Sequence, residues 1–110
     1  MLHEKLICYQ KSLRLAQAIG QEVLQLPKGF AYLTDQIKRA IASVVLNCAE
    51  GNARISPKER KRFFQISRAS IAEVAACLDL MVAFHLISNH QGKTWKSQAE
   101  EVSRMLYKLR

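Results

Sequence analysis

The chain has 110 residues, enough for one compact domain and too few for two. Hydrophobic residues make up 49% of it, so a packed core is available, while 4 Gly and 2 Pro argue against a loop-rich or all-β fold. Lys and Arg number 17 against 9 for Asp and Glu, a formal charge of +8, which repels copies of the chain and attracts polyanions: RNA, DNA or an acidic protein surface.

The start, Met1-Leu2-His3-Glu4-Lys5, shows neither the n-region nor the h-region of a secretory signal. Cys8, Cys48 and Cys77 are widely spaced and odd in number, which points to a reducing compartment. No apolar run is long enough to span a bilayer. The expected setting is the cytoplasm, away from membranes.

The first predicted helix runs from about His3 to Leu26. Leu6, Tyr9, Leu13, Ala16, Gly20 and Val23 recur at steps of three and four and mark its apolar face. Pro27-Lys28-Gly29 stops it, because proline disfavours helical geometry in the residue before it. Phe30 to Leu33 forms an apolar link. Thr34 is the predicted N-cap of the second helix, and Gly51 its C-terminal stop. Ile37, Ala40, Ile41, Val44 and Cys48 form the apolar face. A polar stripe, Gln36, Arg39, Ser43, Asn47 and Glu50, borders it within a sector of roughly 80°.

Ser56-Pro57-Lys58-Glu59 is a complete helix-start signal: a side-chain cap, a proline at the first position, and a glutamate able to reach back. The third helix is predicted from Pro57 to Ile87, with Phe63, Ile66, Ser70, Val74, Cys77, Met81 and Phe84 facing the core. Ile71 and Leu78 widen that face. Asn89-His90-Gln91-Gly92 reads as a turn. The fourth helix, about Lys93 to Leu109 with Thr94 as cap, turns Trp95, Ala99, Val102, Leu106 and Leu109 inward. Four helices on short connections predict an all-α, up-down-up-down antiparallel four-helix bundle, residues 1–110, as a single domain.

No nucleotide-loop, nucleophile-elbow or zinc-protease signature is present. His85 and His90 do not share a helical face. Ser67 and Ser70 have no evident base, and each cysteine falls on or near an apolar face, where a thiol acts as a small hydrophobe. No catalytic residue, metal, cofactor or small-molecule substrate is expected. The functional signal is basic: Arg54, Lys58, Arg60, Lys61, Arg62 and Arg68, with Glu59 the one anion among them. Helical spacing brings Lys58, Lys61, Arg62 and Arg68 to one exposed face that can contact successive phosphates of RNA or DNA. A second set, Arg39, Ser43, Asn47, Glu50, Ser70 and Glu73, is expected as a structural polar network. Pairing about the Gly51–Ser56 turn puts Arg39 against Glu73, with Ser43 and Ser70 between them. A buried pair of this kind sets register more than it adds stability.

These residues resemble a known family. Leu33-Thr34-Asp35-Gln36, Arg39-Ala40, Ser43, Asn47-Cys48-Ala49-Glu50-Gly51 and Arg54 are similar to the signature of four-helix-bundle proteins encoded in intervening sequences of bacterial large-subunit ribosomal RNA genes. Phe64, Ile66, Arg68, Ser70, Ile71 and Glu73 resemble its third-helix motif. The same fold family holds the accessory variability proteins of diversity-generating retroelements. The resemblance implies ring-shaped homopentamers and no enzymatic activity. For the retroelement members it also implies binding to nucleic acid and to a reverse transcriptase. The chain departs at Val45, where the family has proline, and at Ala69, where it often has glycine. The first expectation is therefore a basic nucleic-acid-binding scaffold, accessory to a reverse transcriptase. The alternative is an intervening-sequence protein acting as a self-assembling protein-interaction bundle.

Overall fold

The computed structural model describes residues 2–109, with side chains from residue 5 onward. Helix α1 (Leu2–Val23) leads through a short 3-10 turn (Lys28–Phe30) to α2 (Ala31–Ala53), then α3 (Pro57–Ala83) and α4 (Asn89–Leu109). They pack antiparallel into a bundle of 44 × 23 × 18 Å. Each helix lies against two others, α2 with α3 most extensively, so α1 and α3 are diagonal. No helix among the described residues is long and apolar enough to cross a membrane. Helix α2 runs unbroken through Val45, which, unlike proline, donates its backbone N–H within the helix.

The inward faces of α2 and α4 are those predicted: Ile37, Ala40, Ile41, Val44 and Cys48 on one, Trp95, Ala99, Val102, Leu106 and Leu109 on the other, all buried. On α1 the period holds but the phase is turned. Cys8, Ser12, Leu15, Ile19 and Val23 are buried, while Leu6 and Leu13 are 52% and 40% exposed. Two apolar stripes run along this helix, and periodicity alone cannot choose between them. The inner stripe carries Cys8 onto Cys48 of α2 and Ser12, whose hydroxyl donates to the Tyr9 carbonyl at 2.8 Å. The first half of α3 is turned in the same way. Phe64, Ser67 and Ile71 are buried in place of Phe63, Ile66 and Ser70, and Phe84 is half exposed. The Ser67 hydroxyl donates to the Val44 carbonyl at 2.7 Å, so a serine sits in the core with its polar group satisfied.

The helix ends explain the shifted boundaries. Ser56 caps α3 as predicted, its Oγ accepting from the Glu59 N–H at 3.4 Å, but the Glu59 carboxylate turns to Arg62 instead of back to the cap. Gly51 does not end α2. It lies buried inside the helix with no positive φ, and a Cβ there would meet ring atoms of Phe64 at 2.6, 2.8 and 3.0 Å. Glycine is needed for close approach of α3. Thr34 is not a cap either, because α2 already begins at Ala31 with Phe30 at the N-cap position.

Helix α3 stops four residues before the predicted Ile87, at Ala83. His85 has φ 59°, and the Leu86 N–H donates to the Met81 carbonyl at 2.8 Å while the His85 N–H donates to the Val82 carbonyl at 3.0 Å. That is the Schellman arrangement with histidine where glycine is usual, so no glycine signalled it. The predicted turn Asn89–Gly92 is the first turn of α4. Ser88, not Thr94, caps it by accepting from the Gln91 N–H at 3.0 Å.

Candidate nucleic-acid interface

The α2–α3 turn stands at the end of the bundle where α1 begins and α4 finishes. The structure divides the six predicted cations. Arg54 and Arg62 flank Phe63, their guanidinium carbons 5.0 and 4.5 Å from its ring centroid. Each also pairs with an acid on its own helix, Glu50 and Glu59, at 3.0 Å. Arg60 donates to the carbonyls of Arg54 and Ile55 and braces the turn. Arg68 lies 4.7 Å over the Tyr107 ring of α4 and donates to the Ser103 hydroxyl at 3.2 Å. Lys58 and Lys61 are exposed, with no ion pair among the described residues. The single face expected of Lys58, Lys61, Arg62 and Arg68 is therefore split: Arg62 belongs with Arg54 on the α2 side, Arg68 with α4. The two pairs on single helices are exposed and individually worth only about 0.3–0.5 kcal/mol, so a phosphate can compete for those arginines.

Sequence reasoning missed the contribution of α4. Arg68, Arg104, Tyr107 and Lys108 line one depression on the surface. It continues through Arg68 into an open groove of about 450 Å³ between α3 and α4, lined by the buried Phe64 and Leu106 and by the more exposed Gln65, Ala69, Ala72 and Ser103. Arg104 and Lys108 are one helical turn apart, a spacing legible in the sequence. Their proximity to Arg68 needs the tertiary fold.

The polar network forms as separate pieces. Ser43 and Ser70 hydroxyls meet at 2.7 Å across α2 and α3, and Asn47 donates to Ser43 Oγ at 3.0 Å. Arg39 does not pair with Glu73. It donates to Gln36 Oε1 at 3.1 Å, and Gln36 Nε2 donates to Glu73. Arg39 and Glu73 are both exposed, so the expected buried ion pair is a solvent-facing relay through Gln36. Glu50 belongs to Arg54 rather than to this network. Ion pairs also tie α1 to α4 through Lys11 and Glu101, and α3 to α4 through Asp79 and Lys96 at 2.9 Å. The hydrogen bond from Lys11 holds the Glu101 carboxyl below its ordinary range, and the bond to Asp79 raises the Lys96 ammonium.

The profile of a family described as 23S rRNA-intervening sequence protein matches residues 4–108. The chain belongs to that family. Among solved structures it is similar to a protein of unknown function from the S23 ribosomal protein family of Bacteroides thetaiotaomicron, with TM-score 0.89, 19% identity, and 96% of each chain covered. At that identity the likeness speaks to the fold alone. Among curated protein sequences no relative matches.

In this intervening-sequence protein the thiols are buried structural groups. Cys8 and Cys48 are hydrogen-bonded to each other, and that bond together with burial pushes the Cys8 thiol up. Burial, with a smaller push from Glu73, raises Cys77. No group of three or more His, Cys, Asp or Glu side chains suited to a metal occurs among the described residues.

Proposed function

We propose that this intervening-sequence protein works without catalysis, as a helical bundle that assembles with copies of itself and recruits a partner through its surface. The observation supporting this is a set of exposed apolar side chains on the outside of α1 and on the second half of α2. On α1 the exposed Leu6, Gln10, Leu13 and Gln17 recur along one side with the exposed Arg14 at its edge, and Leu24, just past the helix end, is 81% exposed. On α2, Ala42, Leu46 and Ala49 are exposed as well, Leu46 to 64%. In a chain of charge +8, copies approach most readily where cations are few. A ring, the form the resemblance implies, needs these side chains to meet a different patch on the next copy, and Ile66 and Leu80 of α3 are half-exposed candidates. Light scattering on eluting wild type and the pair Leu6→Glu, Leu13→Glu tests it. An oligomer that the two substitutions reduce to folded monomers is the expected result. A wild type that stays monomeric at high concentration overturns the reading.

A second reading is favoured by the cations gathered at one end: this end holds RNA or DNA by its phosphates. Lys58 and Lys61 on α3 supply exposed charge, and Arg104 and Lys108 join them from α4. Retention of mixed RNA and DNA over a salt series tests it, with affinity expected to fall steeply as salt rises. Charge reversal at Lys58 and Lys61 should weaken that retention without altering the fold, and retention indifferent to salt would remove the reading. Neither the family match nor the similar structure lends support to a reverse transcriptase as partner.

A further inference from the structure

We propose that the groove between α3 and α4 receives single-stranded nucleic acid, with phosphates against Arg104 and Lys108 and a base on the guanidinium face of Arg68. This rests on the polyanion reading and gives it a site and a ligand class. The lining carries three cations from two helices, Arg68, Arg104 and Lys108, and none of the described residues that line it is acidic. Lys61 lies two turns before Arg68 on the same side of α3 and extends the cationic track toward the bundle end. Asp79, paired with Lys96, and Glu100, one turn from Arg104, close the track at its other end. A polyanion therefore has one direction in which to lie.

Arg68 carries the choice of ligand. Its guanidinium rests on the Tyr107 ring at 4.7 Å and its Nε donates to Ser103 Oγ at 3.2 Å. A long cationic side chain is thus held flat, its ordering already done before a ligand arrives. Planar guanidinium groups and aromatic rings accept unpaired bases by stacking, while phosphates alone ask only for charge. Ala69 and Ala72 beside it are exposed and small, which lets a sugar-phosphate chain lie close to the surface of α3. A duplex keeps its bases stacked internally and cannot use the Arg68 platform, so the arrangement selects a single strand.

Fluorescence anisotropy with labelled oligouridylate, oligothymidylate, a duplex of equal length and inorganic polyphosphate tests the inference. Wild type is compared with Arg104→Glu/Lys108→Glu, with Arg68→Lys, and with Lys28→Glu/Lys93→Glu at the far end. The α4 reversal should weaken single-strand binding about tenfold or more and lower the salt slope by about 0.7 for each phosphate no longer neutralised. Arg68→Lys keeps the charge and loses the plane, so it should weaken single strands several-fold while leaving polyphosphate unchanged. The far-end reversal should change little. RNA and DNA arms tell which strand is preferred, and tighter binding of either than of duplex supports the site. Duplex or polyphosphate bound as tightly as single strands overturns it. If wild type binds and Arg104→Glu/Lys108→Glu leaves that binding intact, the groove is wrong and the polyanion reading survives. If wild type binds none of the probes, both fall.

Discussion

Replacing Gly51 with alanine should destabilise the bundle, although the same exchange in an open helix stabilises. Alanine gains about 1 kcal/mol of intrinsic helix preference over glycine at an interior position. At Gly51 the new methyl would stand 2.6 Å from Phe64 Cε1 and 2.8 Å from Cδ1. No real Cβ sits that close, so the ring or the α2–α3 spacing must give. Phe64 is fully buried and is not the loose end of a flexible chain. Overpacking of this sort costs about 1–3 kcal/mol, which exceeds the helix gain at most of its range. The expected net loss is about 1 kcal/mol, or roughly 4 °C in Tm for a domain of this size. Gly20 is the internal control, because a Cβ there meets nothing within 4 Å. Gly20→Ala should raise Tm by a few degrees. Thermal denaturation followed by circular dichroism measures both, at a concentration where the oligomeric state is unchanged. A double-mutant cycle with Phe64→Leu completes the test: the smaller side chain should relieve much of the Gly51→Ala penalty, with a coupling of at least about 0.5 kcal/mol. A Gly51→Ala protein melting at or above wild type, or strict additivity with Phe64→Leu, would refute the close-approach account.

His85→Gly should stabilise, since glycine adopts a φ of 59° without the penalty a side chain carries there, about 1 kcal/mol; an unchanged melting temperature would count against it. Ser67→Ala should cost about 1 kcal/mol by denaturant unfolding, because it removes a buried bond to the Val44 carbonyl. Ser70→Ala should cost less, since Ser43 keeps its bond from Asn47. The Lys11–Glu101 pair should add a small stability that is full above the ordinary glutamate range and is lost as pH falls through the lowered Glu101 value. Glu101→Gln should flatten that part of the stability–pH curve and leave the neutral-pH value nearly unchanged, the pair being half exposed.

Much of the basic end is legible one residue at a time. Lys58 and Lys61 stand exposed on α3 as helical spacing predicts, and Ser56 caps that helix from the serine-proline signal. What the sequence conceals is which acids and rings each arginine meets. Helical spacing groups Arg62 with Arg68 because both point outward on one helix, yet Phe63 and Glu59 draw the first one way and Tyr107 draws the second the other. Register about the turn sets Arg39 toward Glu73, and that register is nearly right. Gln36 lies between them, and a glutamine carries no charge to announce that it will bridge.

The four helices, their order and the inward faces of α2 and α4 come from local information: period, caps and breakers act within a few residues, so the chain reports them directly. The phases of α1 and early α3 do not. Each carries two apolar stripes of equal period, and only the neighbouring helix decides which is buried, through Cys48 under Cys8 and Gly51 under Phe64. The groove beside Arg68 is likewise a product of packing. Its two walls lie far apart along the chain, and no local rule can say that α3 and α4 will set a guanidinium on a tyrosine ring.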